Sequence, residues 1–475
     1  MKWQMGIQEL KNKLVAVLGN GQEGQATANY LIKHGIKPVL FDQRPWEEWP
    51  DAEQDKIKTL GVNFIFGPDA LKELAGFDVA FRSPGIPLSH PDLVKWLGYD
   101  LSLNPSPSPG EGNPILTSQT KYFFDNCPCK IIGVTGTKGK GTTASLIHII
   151  LEANSYKLKA KSYLTGNIGK TQPLVILDDL KPEDWVVYEL SSFQLQDLTR
   201  SPHIGVVLMT TSEHLDYHKD NVEYVDAKSA ITKFQSPDDF AIINADFPSS
   251  VKIGELGKGK KVYFSGNKVP EFIDTASVQL RGAHNLENIC AAATVAEALN
   301  VSKDIIRQAV SNFKGLEHRL EFVGEKQGVY PVKSAAGGTA SQSFNGVKFY
   351  NDSFSTTPET AIAGIKAFSE PLIVILGGSK KNSDFSELSK AINESTNIKT
   401  LILIGEEAGS IKQALGQTQI PMLEGAKNME EIVAQIKSVA SSGDVVLLSP
   451  ACASFGMFKN YKERGEQFKK YAKEF

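Results

Sequence analysis

The sequence predicts an α/β protein of three domains: a Rossmann-like first domain, a central P-loop ATPase-type parallel sheet, and a Rossmann-like α/β third domain. Three observations point there. Two glycine-rich turns, Gly19 to Gly24 and Gly136 to Gly141, each follow an apolar run and lead into a helical pattern. Short apolar runs alternate with helical segments along the chain, the pattern of parallel strands covered by helices. The length, 475 residues, allows about three domains at ~150 residues each. The expected divisions are residues 1–108, 109–313 and 314–475.

Bulk composition removes several function classes. Hydrophobic residues at 41% and charged residues at 22% describe an ordinary globular chain. Lys and Arg number 51 against 54 Asp and Glu, so the net charge of -3 offers no field for nucleic acid. An anionic ligand must therefore be held by local sites. The opening stretch, MKWQMGIQELKNK, has no apolar core of signal length, and no apolar run is long enough to span a membrane. Four cysteines make no disulfide framework, and Cys127-Pro-Cys129 is too closely spaced for a zinc knuckle. A reduced, cytoplasmic, monomeric chain without membrane or nucleic-acid partners is expected.

In the first domain, residues 13–18 (KLVAVL) read as a strand and Gly19-Asn-Gly21-Gln-Glu-Gly24 as a full G-x-G-x-x-G. A helix is expected from Ala26 to His34, then a strand, Pro38 to Phe41, ending in Asp42. The pattern requires a tight turn, a backbone close to a diphosphate, and an acid near ribose hydroxyls. A dinucleotide or a UDP-sugar satisfies it equally. Phe77 to Phe81 is a further strand, leading into Arg82-Ser83-Pro84-Gly85-Ile86 at a carboxyl end. The Pro-, Ser- and Gly-rich stretch Asn104 to Asn113 has linker composition and marks the first boundary.

The central domain is built around Ile131 to Thr143, IIGVTGTKGKGTT. Glycines let backbone N–H groups approach an anion, and the helix dipole favours negative charge. Lys140 would stand beside the outer phosphates as a point charge, and Thr142 or Thr143 could ligand magnesium. Val134 occupies the first glycine position of the general P-loop, and Gly141 follows the lysine. The turn Tyr163 to Gly169 contains Asn167. Asp184 to Tyr188 is a strand ending at Glu189, a carboxylate placed to hold magnesium, followed by Leu190-Ser191-Ser-Phe-Gln194. The strand Gly205 to Thr210 exits into a loop dense in acids and imidazoles, with His214, Asp216 and His218. Arg281 to Asn288 opens an alanine-rich helix, Ile289 to Leu299, where Asn285 and Asn288 could read a base edge.

The third domain starts near Lys314. Glu325 to Asn345 is polar and glycine-rich and reads as a long turn. Strands Val347–Tyr350, Leu372–Leu376, Leu401–Ile404 and Val445–Leu448 alternate with helices, and suggest a parallel sheet. Three exits are chemically loaded: Asn351-Asp352-Ser353, Gly377 to Lys381, and Ser449 to Ser454. The lysine-rich C-terminal helix reads as a solvated face with one apolar stripe.

Taken together, TGTKGKGTT, ELSSFQL, the histidine loop, HNLEN, GLEHR and LSPACASF resemble the Mur ligase family, the ATP-dependent amide-forming enzymes of peptidoglycan precursor synthesis. The likeness runs from about Gly19 to Gln467 and is greatest to the branch that adds glutamate to UDP-N-acetylmuramoyl-L-alanine. It implies three domains that bind the UDP-sugar, ATP and the incoming amino acid in turn. It also implies roles residue by residue. Gly136, Thr137, Lys138, Gly139, Lys140, Gly141, Thr142 and Thr143 would cradle ATP, with Asn285 and Asn288 on adenine and Arg319 and Asp352 on the nucleotide. Thr142 or Thr143 with Glu189 would ligand one magnesium, and His214 would help hold a second. Lys228 matches a lysine that is carbamylated in the family. A carbamate would be an oxygen ligand where an ammonium repels the metal. Gly19, Gly21, Gly24, Asp42, Ser83, Pro84 and Gly85 would face the UDP end, and Asn167, Ser191 and Gln194 the muramoyl part. Lys381, Ser454, Phe455 and Tyr461 would form the glutamate pocket.

Some positions depart from the family pattern. Lys138 stands for the usual asparagine and Gly141 for serine or threonine, a spacing that resembles folylpolyglutamate synthetase. Phe354 replaces the lysine of the usual Asn-Asp-Ser-Lys, in a Ser-Thr-Thr-Pro stretch similar to a branch that adds L-glutamate. The resemblance implies an acyl phosphate made from the muramoyl-L-alanine carboxylate and ATP, then attack by the amine of D-glutamate. L-Glutamate addition, a folylpolyglutamate synthetase-like ligase and a non-catalytic nucleotide-binding module are the alternatives. The first glycine-rich domain speaks against the pterin-using ligase, and Glu189, His214 and Lys228 together against a non-catalytic module.

Overall fold

A computed structural model of the chain describes residues 5–99, 113–168, 171–210, 221–333, 339–380 and 383–475. The backbone gathers into two units, residues 1–272 with 287–309 and residues 273–286 with 310–475.

The first unit holds two sheets. In the first, β1 (Val15–Leu18), β2 (Val39–Asp42), β3 (Phe64–Phe66), β4 (Val79–Arg82) and β5 (Ile115–Ser118) run parallel in the order β3-β2-β1-β4-β5. Val15 and Val17 enter one core and Ala16 and Leu18 another, so both faces of β1 are buried. This is why the strand reads as a continuous apolar run. The chain order reverses between β1 and β4, and their carboxyl ends flank the crevice that open α/β sheets use for ligands. β5 pairs with β4 from Val79↔Ile115 to Arg82↔Ser118. A boundary at residue 108 would therefore cut the first sheet before its last strand. The linker composition around residues 104–113 marks the approach to β5, not the end of the module.

The second sheet is also parallel. β6 (Lys130–Thr135), β7 (Ser162–Gly166), β8 (Trp185–Glu189), β9 (Ile204–Val207), β10 (Phe240–Asn244) and β11 (Lys260–Phe264) take the order β11-β10-β9-β6-β8-β7. β6 lies between β8 and β9, where the order reverses. The helix Gln119–Asn126 joins β5 to β6. Its Tyr122 meets Tyr30 and Phe81, with ring centroids 6.1 and 5.3 Å apart. Phe123 and Phe124 meet Tyr188 of the second sheet at 5.6 and 5.7 Å. One hydrophobic core therefore runs from the first sheet to the second.

The second unit is one sheet, ordered β12-β13-β17-β14-β15-β16. Its strands are β12 (Glu321–Lys333), β13 (Thr339–Asn351), β14 (Leu372–Gly378), β15 (Ile398–Gly405), β16 (Met422–Leu423) and β17 (Val445–Leu448). Val374, Leu376, Leu401 and Leu403 enter one core, and Ile373, Ile375, Ile402 and Ile404 the other. Two expectations are corrected here. The stretch from Glu325 to Asn345 is no long turn: most of it forms the arms of an antiparallel hairpin, and the sheet is parallel only beyond it. Val329, Tyr330 and Val332 favour a strand despite the polar composition. Pro331 is tolerated because β12 is an edge strand. Among the described residues no helix is long and apolar enough to cross a membrane.

Candidate active site

β6 delivers the phosphate loop to the middle of the second sheet. Thr137 N–H donates to the Met209 carbonyl at 2.7 Å, holding the loop against the exit of β9. Gly139, with φ +85°, precedes the helix Lys140–Ala153 in the left-handed region. A Cβ at Gly139 would collide with Asn288 Oδ1, so glycine is required on two counts. Lys140 Nζ donates to the carbonyls of Gly136 and Thr137 at 3.0 and 2.9 Å. Lys138 is exposed, whereas Gly141, Thr142 and Thr143 are buried. Thr143 Oγ1 donates to Asn288 Oδ1 at 3.2 Å. Asn288 thus braces the phosphate loop in this arrangement. Asn285, in the same helix Ala283–Ala298, donates to the Arg281 carbonyl at 2.7 Å.

Two of the expected site residues lie at the start of this loop. Glu189, 7% exposed at the tip of β8, is paired with Val134 of β6. Lys228, on the helix Asn221–Ser229, is 2% exposed, and its Nζ donates to the Gly136 carbonyl at 3.3 Å. Lys140 and Lys228 therefore share one carbonyl acceptor, with their ammonium groups within about 6 Å of each other. Asn167, exposed, follows β7 where Gly166 pairs with Glu189. Ser191 and Gln194 form a capping box just beyond Glu189. Among the described residues no group of three or more His, Cys, Asp or Glu could hold a metal. Glu189 and the Thr142 hydroxyl are nevertheless hard oxygen donors of the kind magnesium takes. The loop carrying His214 lies outside the described residues.

In the first sheet the expected UDP-end residues do come together. Gly19 and Ser83 touch, with Ser83 Oγ 3.4 Å from the Gly19 carbonyl. Gly24 packs so closely on Gly19 that a Cβ would overlap the Gly19 carbonyl oxygen. Pro84 and Gly85 continue the turn after β4, and Gly21 is exposed beside it. Asp42 accepts from the N–H groups of Asn20 and Arg44, at 2.7 and 2.9 Å. In this structure the acid pins the glycine turn to the exit of β2.

The second unit gathers its own cluster. Asp352, Ser449 and Gly377 stand at the exits of the neighbouring strands β13, β17 and β14. Asp352 accepts from Leu320 N–H at 3.1 Å and Ser449 Oγ at 2.8 Å. The Arg319 guanidinium lies over the Phe354 ring at 4.9 Å, and Tyr461 meets that ring edge-on at 5.0 Å. Phe354 brings no charge of its own, but it holds one on its face. Ser454 is buried and Phe455 exposed on the loop after β17, while Lys381 lies outside the described residues. Ser379 N–H donates to the Ala453 carbonyl at 2.9 Å, tying the glycine exit of β14 to that loop.

Burial pushes the Asp352 carboxyl up to about 7, against the Ser449 and Leu320 donors that pull it down. The folded chain thus holds this proton more tightly than the unfolded chain. The stability it contributes is complete below about pH 4 and is lost as pH rises through about 7. Urea midpoints of the wild type should fall across that window, and Asp352→Asn should flatten the slope. An unchanged slope in the variant would refute the assignment.

Two residues escaped the sequence reading. Arg464 lies in the lysine-rich helix Tyr461–Lys473, yet it is fully buried and donates to Ser353 Oγ and to the Ser353 and Cys452 carbonyls. Nothing in its neighbourhood in the sequence marks it. Glu23 carried a signal, a carboxylate inside the glycine turn, and its side chain accepts from Gln194 at 2.8 Å.

The site defines a phosphate-loop enzyme with a second nucleotide-type sheet beside it. Comparison with known proteins agrees. Residues 13–101 match the N-terminal domain of MurD-like Mur ligases, 134–272 the Mur ligase middle domain, and 339–452 the glutamate ligase domain. The chain is 35% identical to UDP-N-acetylmuramoylalanine--D-glutamate ligase of Acetivibrio thermocellus, covering 97% of this chain and 96% of the other. It is 34% identical to the protein of that name from Clostridium kluyveri, covering 97% of each. Its fold is similar to that of UDP-N-acetylmuramate-alanine ligase from Thermotoga maritima, with a TM-score of 0.56 at 15% identity, covering 98% of this chain and 100% of the other. The chain belongs to the Mur ligase family, and is an ATP-dependent ligase.

Proposed function

We propose that this chain joins D-glutamate to UDP-N-acetylmuramoyl-L-alanine at the expense of ATP, a step of peptidoglycan precursor synthesis carried out in the cytoplasm. The observation that carries the reading is the nearly full-length likeness to ligases of that name. It favours the D isomer over L-glutamate, over a folylpolyglutamate synthetase-like activity and over a non-catalytic module.

A carboxylate and an amine do not condense at neutral pH, because the carboxylate is a poor electrophile. The carboxylate of the muramoyl-L-alanine attacks the γ-phosphorus of ATP, ADP leaves, and an acyl phosphate forms. Lys140 and the loop N–H groups hold the phosphates and stabilise the charge that develops, chiefly by positioning. The amine of glutamate then adds to the acyl carbon, and the tetrahedral intermediate expels phosphate. Thr142 and Glu189, together with Lys228 as its carbamate, would hold magnesium, with His214 at a second ion. When bound, the metal neutralises charge on the phosphoryl oxygens. Thr143 is the alternative hydroxyl, since donating its proton to Asn288 leaves its oxygen lone pairs available.

Carbamylation suits Lys228 on physical grounds. The Lys228 side chain is buried beside the start of the phosphate loop, where an oxygen anion would serve a metal that an ammonium would repel. The neutral amine adds to carbon dioxide, a proton is released, and a carbamate oxygen ligand results. Gly19, Gly21, Gly24, Asp42 and the Ser83-Pro84-Gly85 turn take the UDP end, and Asn167, Ser191 and Gln194 the muramoyl part. Arg319 and Asp352 serve the nucleotide. Lys381, Ser454, Phe455 and Tyr461 serve glutamate.

Purified protein with ATP, magnesium and UDP-N-acetylmuramoyl-L-alanine should release phosphate with D-glutamate and at least about tenfold less with L-glutamate. No release with either isomer would overturn the assignment, and preference for the L isomer would overturn the stereochemistry.

A further inference from the structure

Glu23 occupies the last variable position of Gly19-Asn-Gly21-Gln-Glu-Gly24 and lies in the first turn of the helix Gln22–Lys33. Its backbone carbonyl accepts from Gln119 Nε2 and Thr27 Oγ1, at 3.0 and 2.7 Å. Its carboxylate leaves the first sheet's module. Oε1 accepts from Gln194 Nε2 at 2.8 Å, and Gln194 belongs to the ELSSFQL tip after β8. Gln194 Oε1 in turn accepts from Ser191 N–H at 3.1 Å and Ser191 Oγ at 3.2 Å. A second tie lies alongside: Arg82 donates to Asp197 at 3.1 Å, and Ser118 Oγ donates to the other oxygen of Asp197 at 3.3 Å.

The chemistry of this chain of bonds fixes its direction. A backbone N–H only donates, so the Ser191 N–H must face the carboxamide oxygen of Gln194. The Gln194 carboxamide can therefore sit one way round only, with nitrogen toward Glu23 and oxygen toward Ser191. That orientation draws the Ser191 hydroxyl proton toward Gln194. The remaining lone pair of Ser191 Oγ is then what a ligand meets, after one is taken by Gln194 N–H at 3.3 Å. Glutamate is a costly choice for mere packing here. Burial disfavours its ionised form, and its Oε2 is buried without a hydrogen-bond partner.

We propose that Glu23 is a positioning residue for the acceptor substrate: by orienting Gln194 it presents Ser191 Oγ as a hydrogen-bond acceptor to an amide N–H of the muramoyl-alanine portion. This rests on Ser191 and Gln194 being acceptor contacts, as proposed above. It makes the turn that holds the UDP end also set the polarity of the site at the acyl end.

The test is a double-mutant cycle on the full chain: wild type, Glu23→Ala, Gln194→Ala and the double variant, with Glu23→Gln as the conservative control. Glu23→Ala should raise KM for UDP-N-acetylmuramoyl-L-alanine about tenfold and leave KM for ATP within about twofold. The double variant should be no worse than Gln194→Ala alone. Glu23→Gln keeps an acceptor oxygen for Gln194 and should recover acceptor KM to within about threefold of wild type. Additive effects of Glu23→Ala and Gln194→Ala on acceptor KM would overturn the proposal. So would equal changes in both KM values, a drop in melting temperature alone, or a Glu23→Gln variant as impaired as Glu23→Ala. Absence of wild-type turnover would remove the acceptor, and this role with it. Wild-type turnover with an unaltered acceptor KM in Glu23→Ala would remove this role alone.

Discussion

Lys228→Ala should lower turnover by roughly 10²–10³-fold, the scale of losing one electrostatic stabiliser of a transition state. The side chain is buried and donates to the carbonyl that Lys140 also uses. Carbamylated, Lys228 would carry an anionic oxygen ligand in place of an ammonium. Small carboxylates such as acetate should therefore partly restore the alanine variant by taking the vacated space, while leaving wild type unaffected. Isotope-labelled bicarbonate should give a carbamate carbon signal in wild type that Lys228→Ala lacks. Full activity in the plain alanine variant would sink the role. Loss of activity with no rescue and no carbamate signal would leave a structural lysine.

Lys140→Ala should have an effect of the same order on kcat, with KM for ATP raised about tenfold. The Lys140 ammonium is held by two loop carbonyls, so its removal takes away a brace of the loop as well as the proposed phosphate partner. Lys140→Arg should not rescue. The planar guanidinium fork does not fit a place shaped for a compact ammonium. Steady-state phosphate release with calorimetric ATP titration separates the two effects. Activity within about threefold of wild type would refute the assignment.

The fold was legible where local pattern and tertiary placement agree. Gly19 to Gly24 and Gly136 to Gly141 announce strand–turn–helix joints because their backbones need glycine at fixed points, as Gly139 shows. Asp42, Glu189, Asp352 and Ser454 were legible as strand exits, since parallel sheets bring such ends to one edge. Relations between distant segments were not. Glu23 and Gln194 are 171 positions apart, and no periodicity links them. Arg464 reads as one more solvated cation among lysines until the burial of its helix face is seen. The hairpin of β12 and β13 was hidden by polar composition, because an edge ribbon needs backbone partners more than an apolar face.

The aromatic helix between β5 and β6 bears on how such genes can be recombined. Tyr122 is packed on one sheet and Phe123 and Phe124 on the next, and β5 itself belongs to the sheet before the proline-rich stretch. A chimera spliced inside that stretch would inherit β5 and its helix from one parent and their packing partners from the other. Chimeras that take both sheets of this unit from one parent keep these packing pairs together and should yield more folded offspring than libraries cut between them.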